Sequence, residues 1–168
     1  INGKKVLDEL DYQFRIIEEK LSIEFEIDGQ RQLFEIDKDF DEDLGVQFEE
    51  LKIRKCANDC VFCFVDQNPK GMRSGMYFRD GDYRLSFLHG HYITLTNMGQ
   101  NELNRIVEQR MSPLYLSVHT TDPELRKKLL LYKKNDNFIE KVKFLVDNGI
   151  ELHCQAVLVP GENDGNAL

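Results

Sequence analysis

Apolar positions recur with two different periods along this chain. Over residues 7–20 they fall at Leu7, Leu10, Phe14 and Ile17, with Leu21 next in the series. That spacing predicts a helix with one buried face. Over Leu21–Ile27 and again over Gln32–Lys38, apolar and charged residues alternate, the period of a half-buried strand. Asp28-Gly29 stands between the two runs, and because Gly tolerates positive φ the pair predicts a hairpin turn. Ile23, Phe25 and Ile27 then share one face, with Phe34 and Ile36 opposite them. A helix and one hairpin bury too little to be stable alone, so further strands are expected before residue 1. Asp39–Asp43 is an acidic connector, and Leu44–Phe48 and Leu51–Arg54 read as two more short strands.

After residue 90 the pattern changes to strands alternating with helices. Tyr92–Thr96 is a β-rich run, followed by a helix over Glu102–Met111 whose apolar face is Leu103, Ile106, Val107 and Met111. Leu114–His119 reads as a strand. Asp122-Pro123 opens a helix, since Asp caps an N-terminus and Pro suits the first turn. Phe138–Asn148 is a further helix, with Phe138, Val142, Leu145 and Val146 inward and Gly149 at its end. Glu151–Val159 is a long strand. Such alternation predicts parallel βαβ units, and with Leu51–Arg54 counted it predicts about four parallel strands. The fold class expected is therefore α/β, a partial parallel (β/α) barrel, which in full needs a longer chain.

Charge marks a boundary in the same place. Residues 1–50 hold 6 basic against 16 acidic side chains, a net of −10, whereas the remainder is net +2, giving −8 in all. We divide the chain into a small α+β module at residues 1–48 and a barrel portion at 49–168. The acidic first module argues against sequence-independent nucleic-acid binding there; nucleic acid is not excluded as a partner of the second part. No apolar run approaches the roughly 20 residues of a membrane span, and no signal peptide is recognisable, so a soluble, cytoplasmic protein is expected without a membrane partner. The chain starts at Ile1 rather than Met and stops at Asn166-Ala167-Leu168 just after a turn. It reads as a fragment, inactive by itself or dependent on a C-terminal part of the same chain.

Three of the four cysteines are grouped as Cys56-Ala-Asn-Asp-Cys60-Val-Phe-Cys63, a C-x3-C-x2-C spacing. Three within eight residues of a non-secreted chain indicate metal rather than disulfides. Structural zinc takes four protein ligands, often as two pairs, and here there is a triplet without a second pair, although Cys154 or a histidine would complete a zinc site. Ferredoxin-type clusters want a fourth cysteine, and none follows. Three thiolates with one position open fit an iron–sulfur cluster whose fourth iron binds something else.

Cys56–Cys63, with aromatic Phe62 before the last cysteine, is similar to the signature of radical S-adenosylmethionine (SAM) enzymes. More of the chain shares the resemblance: Cys63-Phe-Val-Asp-Gln-Asn-Pro-Lys-Gly-Met-Arg73, Asp82-Tyr-Arg-Leu-Ser-Phe-Leu88, Tyr92-Ile-Thr-Leu-Thr-Asn97, Ser112-Pro-Leu-Tyr-Leu-Ser-Val-His-Thr-Thr-Asp-Pro123 and Val159-Pro-Gly-Glu-Asn-Asp-Gly165. These look like a bacterial family of Fe–S oxidoreductases that join a PDZ-like N-terminal domain, a radical SAM barrel and a C-terminal domain of unknown function. Ile1-Asn2-Gly3-Lys4 resembles the middle of the PDZ-like domain, so residues 1–48 would be a truncated PDZ-like remnant whose peptide-binding loop precedes residue 1.

The resemblance implies a 4Fe–4S cluster on Cys56, Cys60 and Cys63, SAM on the open iron, and reductive SAM cleavage that starts radical chemistry on an unknown substrate. It implies a one-electron donor of flavodoxin or ferredoxin type as partner. The backbone at Phe62 matches the position that contacts adenine. Where many relatives bind the SAM amino group with a Gly-Gly-Glu-Pro-like run, this chain has Thr94-Leu95-Thr96-Asn97-Met98, a departure in which Thr96 and Asn97 would substitute through side-chain oxygens. Alternation puts Tyr115, Ser117 and His119 on one face of the third strand and His153, Gln155 and Val157 on one face of the fourth. Ser117 and Gln155 are candidate SAM contacts, and His119 is a candidate substrate contact or a hydrogen-bonded structural histidine. Lys70, Arg73 and Arg84 are candidates to hold a carboxylate or phosphate of the substrate. His89 and His91 make a weak metal pair. Cys154 should face the helices as a buried, inert thiol. The competing readings are a structural zinc module for protein binding and a protein that keeps the cluster without turnover.

Overall fold

The computed structural model describes residues 1–165. It divides into two compact units, Ile1–Lys52 and Ile53–Leu168.

In the first unit, helix α1 (Glu9–Arg15) leads into strands β1 (Lys20–Ile27) and β2 (Gln30–Asp37). The strands pair antiparallel from Lys20↔Asp37 to Ile27↔Gln30, as their alternation predicts. Asp28 and Gly29 both have positive φ, 51° and 76°, the backbone a two-residue hairpin turn demands. Leu21 and Ile23 are buried with Ile1 and Tyr12, and Val6, Ile16, Ile36 and Leu44 pack against them. The outer half of the hairpin is uncovered: Phe25, Ile27 and Phe34 are exposed.

The first helix departs from the periodic reading. Asp8 is its N-cap, accepting from the Asp11 N–H at 3.1 Å, while the Asp11 carboxylate accepts from the Leu7 N–H at 2.7 Å. This reciprocal cap starts the helix after Leu7, leaves Leu7, Phe14 and Ile17 exposed, and turns Asp11 and Tyr12 inward. Leu44–Phe48 forms no strand; Phe48 packs its ring on Tyr12 instead, 5.2 Å between centroids.

The second unit contains α2 (Tyr83–His89), α3 (Gln100–Glu108), β3 (Leu114–Ser117), α4 (Pro123–Leu130), α5 (Phe138–Asp147) and β4 (Leu152–Gln155). β3 and β4 pair in parallel, Leu114↔Leu152 through Ser117↔Gln155, across the two helices that connect them. This is the βαβ order expected, although α/β is as far as the described sheets go. The four parallel strands predicted reduce to this pair plus a one-residue parallel bridge, Ile93↔Leu116. Leu51–Arg54 is not a parallel strand; the chain just after it makes an antiparallel bridge, Lys55↔Asp80. β4 is shorter than Glu151–Val159. Asp122 caps α4 as predicted, accepting from the Leu125 N–H at 2.7 Å. Helix α2 lies outside the periodic reading, although Asp82 at its N-cap and Gly90 just past its end are its start and stop signals. Its buried Ser86 hydroxyl accepts from the Tyr115 N–H at 2.9 Å and so ties α2 to β3. No helix among the described residues is long and apolar enough to cross a membrane.

Candidate functional site

The cysteine loop follows Arg54 and is docked by its backbone. The Cys56 N–H donates to the Arg79 carbonyl at 2.8 Å, and the Gly81 N–H donates to the Arg54 carbonyl at 3.0 Å. Further along, the Asp59 and Val61 N–H groups donate to the Leu130 and Leu129 carbonyls at 3.1 and 3.0 Å. Those carbonyls end α4, where helix geometry leaves acceptors without internal partners. A turn closed by the Cys63 N–H on the Cys60 carbonyl then runs into a short 3-10 helix, Phe64–Gln67. The Arg79 guanidinium staples the loop, reaching the Asn58 carbonyl, Asp59 and Asp66. Gly81 allows the close fit: a Cβ there would stand 2.8 Å from Cys56 Cα, an approach real side chains do not make.

The segment after the Ile93 bridge is held by side chains in place of a ladder. Its four consecutive carbonyls each accept from a different residue: Thr94 from Arg126 at 2.7 Å, Leu95 from Lys141 at 2.8 Å, Thr96 from Tyr132 at 2.8 Å, and Asn97 from Arg54 at 2.9 Å. Leu95 takes a left-handed φ of 60°, which an extended strand cannot contain, and this ends the predicted Tyr92–Thr96 strand after Ile93. Arg126, 2% exposed, also donates to the Ser117 and Val118 carbonyls, pairs with Asp136 at 2.8 Å and lies 3.8 Å over the Phe138 ring. Burial pulls its pKa down, and the Asp136 contact opposes that. Lys141 is likewise lowered by burial.

Beside this segment, β3 and β4 turn polar side chains to a common face, in the alternation predicted. Tyr115 stacks on His153 with 4.8 Å between centroids, and Gln155 Nε2 donates to Ser117 Oγ at 3.3 Å. His119 leaves the strand with φ 63° and is 3% exposed. Its Nδ1 accepts from the Val157 N–H at 3.1 Å, and its ring lies 4.6 Å from that of Phe62, inside the cysteine loop. Burial, with Arg126 adding to it, lowers its pKa to about 4, so the ring is neutral with Nε2 carrying the proton. Buried Asn163 donates to the His119 and Val157 carbonyls at 2.7 and 2.9 Å and fixes both ends of that contact.

The model of the family described as radical SAM-like domain matches residues 38–168. The chain belongs to this family. No curated protein and no solved structure matches it.

Within this radical SAM-like domain the structure sets Phe62 of the cysteine loop against His119, and Ser117 against Gln155. Thr96 and Asn97 adjoin the same loop with their side chains engaged. Thr96 Oγ1 bonds Thr94 Oγ1 at 2.9 Å, and Asn97 Nδ2 donates to the Lys55 and Gly81 carbonyls at 3.0 Å each, anchoring the approach to Cys56. Arg84 is committed to Asp82 at 2.6 Å. Burial pushes the Asp82 carboxyl up, but its bonds from Arg84 and the Arg54 N–H more than offset this and leave its pKa below the ordinary value. Lys70 and Arg73 are exposed, in the stretch between the 3-10 helix Phe64–Gln67 and a second one, Ser74–Tyr77. His91 bonds Asp80 at 2.5 Å, and its ring is 5.9 Å from that of His89. Cys154 is exposed rather than buried, because β4 pairs only with β3 among the described residues and nothing covers that face. Periodicity missed Arg79, Lys141, Tyr132 and Asn163, whose bonds reach far along the chain. Arg126 did leave a signal: it shares the buried stripe of α4 with Leu129 and Leu130.

Three thiols on one loop are a donor set that an iron–sulfur cluster can take. All three are free thiols, half-buried on one loop. Burial pushes the Cys60 thiol up to about 12, and the neighbouring Cys56 and Cys63 sulfurs add to the rise, so the trio resists carrying negative charge without a cation among them. Burial raises Cys56 as well. Among the described residues no three His, Cys, Asp or Glu side chains are placed to hold a single metal ion.

Proposed function

We propose that residues 49–168 are the front portion of a radical SAM (β/α) barrel that holds a 4Fe–4S cluster on Cys56, Cys60 and Cys63. The observation that carries this reading is the docked loop itself: three free thiols on one segment, held against the end of α4, with the Phe62–His119 pair beside them. When bound, the cluster and SAM supply the one-electron cleavage that begins radical chemistry; the cofactor holds that reactivity and the protein orients and shields it. Arg79 and Gly81 set the position of the loop. Phe62 offers its backbone and ring to adenine. Gln155 and Ser117 present an amide and a hydroxyl toward SAM, and neutral His119 presents an N–H to the substrate. Exposed Lys70 and Arg73 are charged contacts for an anionic substrate, and a flavodoxin- or ferredoxin-type protein is the electron donor. Residues 1–48 are a PDZ-like module, and the protein works in the cytoplasm.

Anaerobic reconstitution with iron and sulfide tests the proposal. About four irons per chain and an EPR signal from the reduced cluster that changes on SAM addition are expected, with both lost in Cys60→Ala. Stoichiometric, colourless zinc with no response to SAM would overturn it in favour of a structural zinc module.

A further inference from the structure

Strand β2 has one edge without a ladder. Among the described residues it pairs only with β1. Its outward-facing groups can be named from β1. Ser22 turns its backbone away from β2: its N–H donates to Asn2 Oδ1 and its carbonyl accepts from the Asn2 N–H, both at 2.8 Å. Ser22 stands opposite Glu35. In an antiparallel ladder, directly opposed residues point their backbone groups either at each other or both away. Glu35 therefore faces outward, and by alternation so do Arg31 and Leu33. No other backbone bonds theirs among the described residues.

Proteins blunt such an edge with Pro, a bulge, a short strand or an inward-pointing charge. β2 has none of these. It runs eight residues in unbroken register without Pro, and its core-side positions are Gln30, Gln32, Phe34 and Ile36. On the face away from the buried Leu21 and Ile23, the outward residues read cation, apolar, anion: Arg31, Leu33, Glu35. Leu33 is 64% exposed. Arg31 meets Glu24 at 3.3 Å, but that pair is open to solvent and holds the guanidinium weakly.

This run is its own complement. An antiparallel copy centred on Leu33 sets Leu33 against Leu33 of the copy, Arg31 against its Glu35 and Glu35 against its Arg31. Each pair joins two outward-facing residues, as ladder hydrogen bonding requires. A register shifted by one residue opposes outward to inward residues and makes no ladder. A shift of two sets Leu33 against a charge. We propose that β2 pairs with β2 of a second copy of this chain, antiparallel about a two-fold axis at Leu33, so that two hairpins form one continuous sheet. The two charge pairs on either side of the axis select a second copy over an unrelated strand. The proposal concerns the first unit alone and stands whatever the cysteine loop binds.

Sedimentation equilibrium of the 168-residue chain tests it, under reductant so that the free cysteines form no disulfide. Arg31→Glu and Glu35→Arg are measured beside wild type, with circular dichroism to show that each variant keeps its fold; both side chains are exposed. One strand pair buries little surface, so the wild-type dimer should populate between about 0.1 and 1 mM. Each variant alone places two like-charge pairs across the axis and should dimerise at least about tenfold more weakly. Mixed in equal amounts, the two variants regain attraction at both pairs and should recover the dimer, a mutual rescue that only this register gives. Wild type that stays monomeric at about 1 mM, variants as dimeric as wild type, or a mixture that stays monomeric beside dimeric wild type would each overturn the proposal and give the edge to another occupant.

Discussion

Two ladders, β1–β2 and β3–β4, have the same number of strands and are held in different ways. The hairpin is closed by a two-residue turn and an unbroken eight-pair register. Its turn and its register lie within eighteen residues of sequence. The parallel pair has four pairs, and the segment beside it has one. There the backbone is fixed by side chains from remote elements: Arg126, Lys141 and Tyr132 on carbonyls 32 to 46 positions away, and Asn163 on the His119 carbonyl. Local ladders make a stable ribbon. Remote donors, aimed at strand-end carbonyls, hold a segment that has almost no ladder of its own.

The sharpest way to break this contrast is to remove Arg126. Its guanidinium serves the Thr94, Ser117 and Val118 carbonyls and Asp136 at once, so Arg126→Leu leaves several acceptors and a half-buried carboxylate without their partner. Removing one partner of a buried pair costs about 3–5 kcal/mol, a large share of a small domain's stability. Urea denaturation should show that loss, and Arg126→Lys should recover only part of it, since an ammonium cannot reproduce the fork. A change below about 1 kcal/mol would mean that the strand ends stand without it.

The same contrast explains what could be read from residues alone. The hairpin, its turn, the cap on α4 and the facing pair Ser117 and Gln155 follow from alternation and spacing, which are local, whereas β3 ends at Ser117, short of the expected Leu114–His119, and His119 turns off it at a left-handed φ. The Cys56–Cys63 grouping is local too. In the first helix a reciprocal Asp8–Asp11 cap outweighs apolar period; Leu7, Phe14 and Ile17 satisfy the period yet stay exposed. The predicted strands at Tyr92–Thr96 and Glu151–Val159 are β-rich in composition, but a left-handed Leu95 and the side-chain bonds on Thr94–Asn97 replace the first ladder beyond Ile93. No periodicity encodes which distant lysine or tyrosine will meet a given carbonyl.

A second, smaller effect tests the remote frame by pH. Burial, helped by Arg126, holds His119 down to about 4, against about 6.5 for a free histidine. The folded state thus binds this proton more weakly than the unfolded one. The stabilisation is present in full above about pH 6.5 and is lost as pH falls toward 4, up to about 3 kcal/mol over the window. Protonation also removes the lone pair that accepts from the Val157 N–H. Urea midpoints taken between pH 7 and 4.5 should fall more steeply in wild type than in His119→Gln, whose amide oxygen can accept from Val157 without titrating. Parallel curves would show that His119 reaches water freely.

The smallest effect is expected in the hairpin. Phe25 and Phe34 meet edge-on with 5.8 Å between ring centroids, on the face that holds Leu21 and Ile23, but toward the turn, where nothing covers them. Phe25 is 39% exposed against 1% for Leu21, so a large share of its surface stays in water on folding. Phe25→Thr loses the cross-strand pair, about 0.2–1 kcal/mol, and part of the burial of the ring, while threonine supplies a β-branched shape that suits a strand. The ladder, the turn and the buried Leu21–Ile23 half are untouched by the change. Denaturation should therefore shift by about 1–2 kcal/mol. A loss of 3 kcal/mol or more, on the order of a core truncation, would place Phe25 in a packed interior and dissolve the difference between a ribbon held locally and a site held from afar.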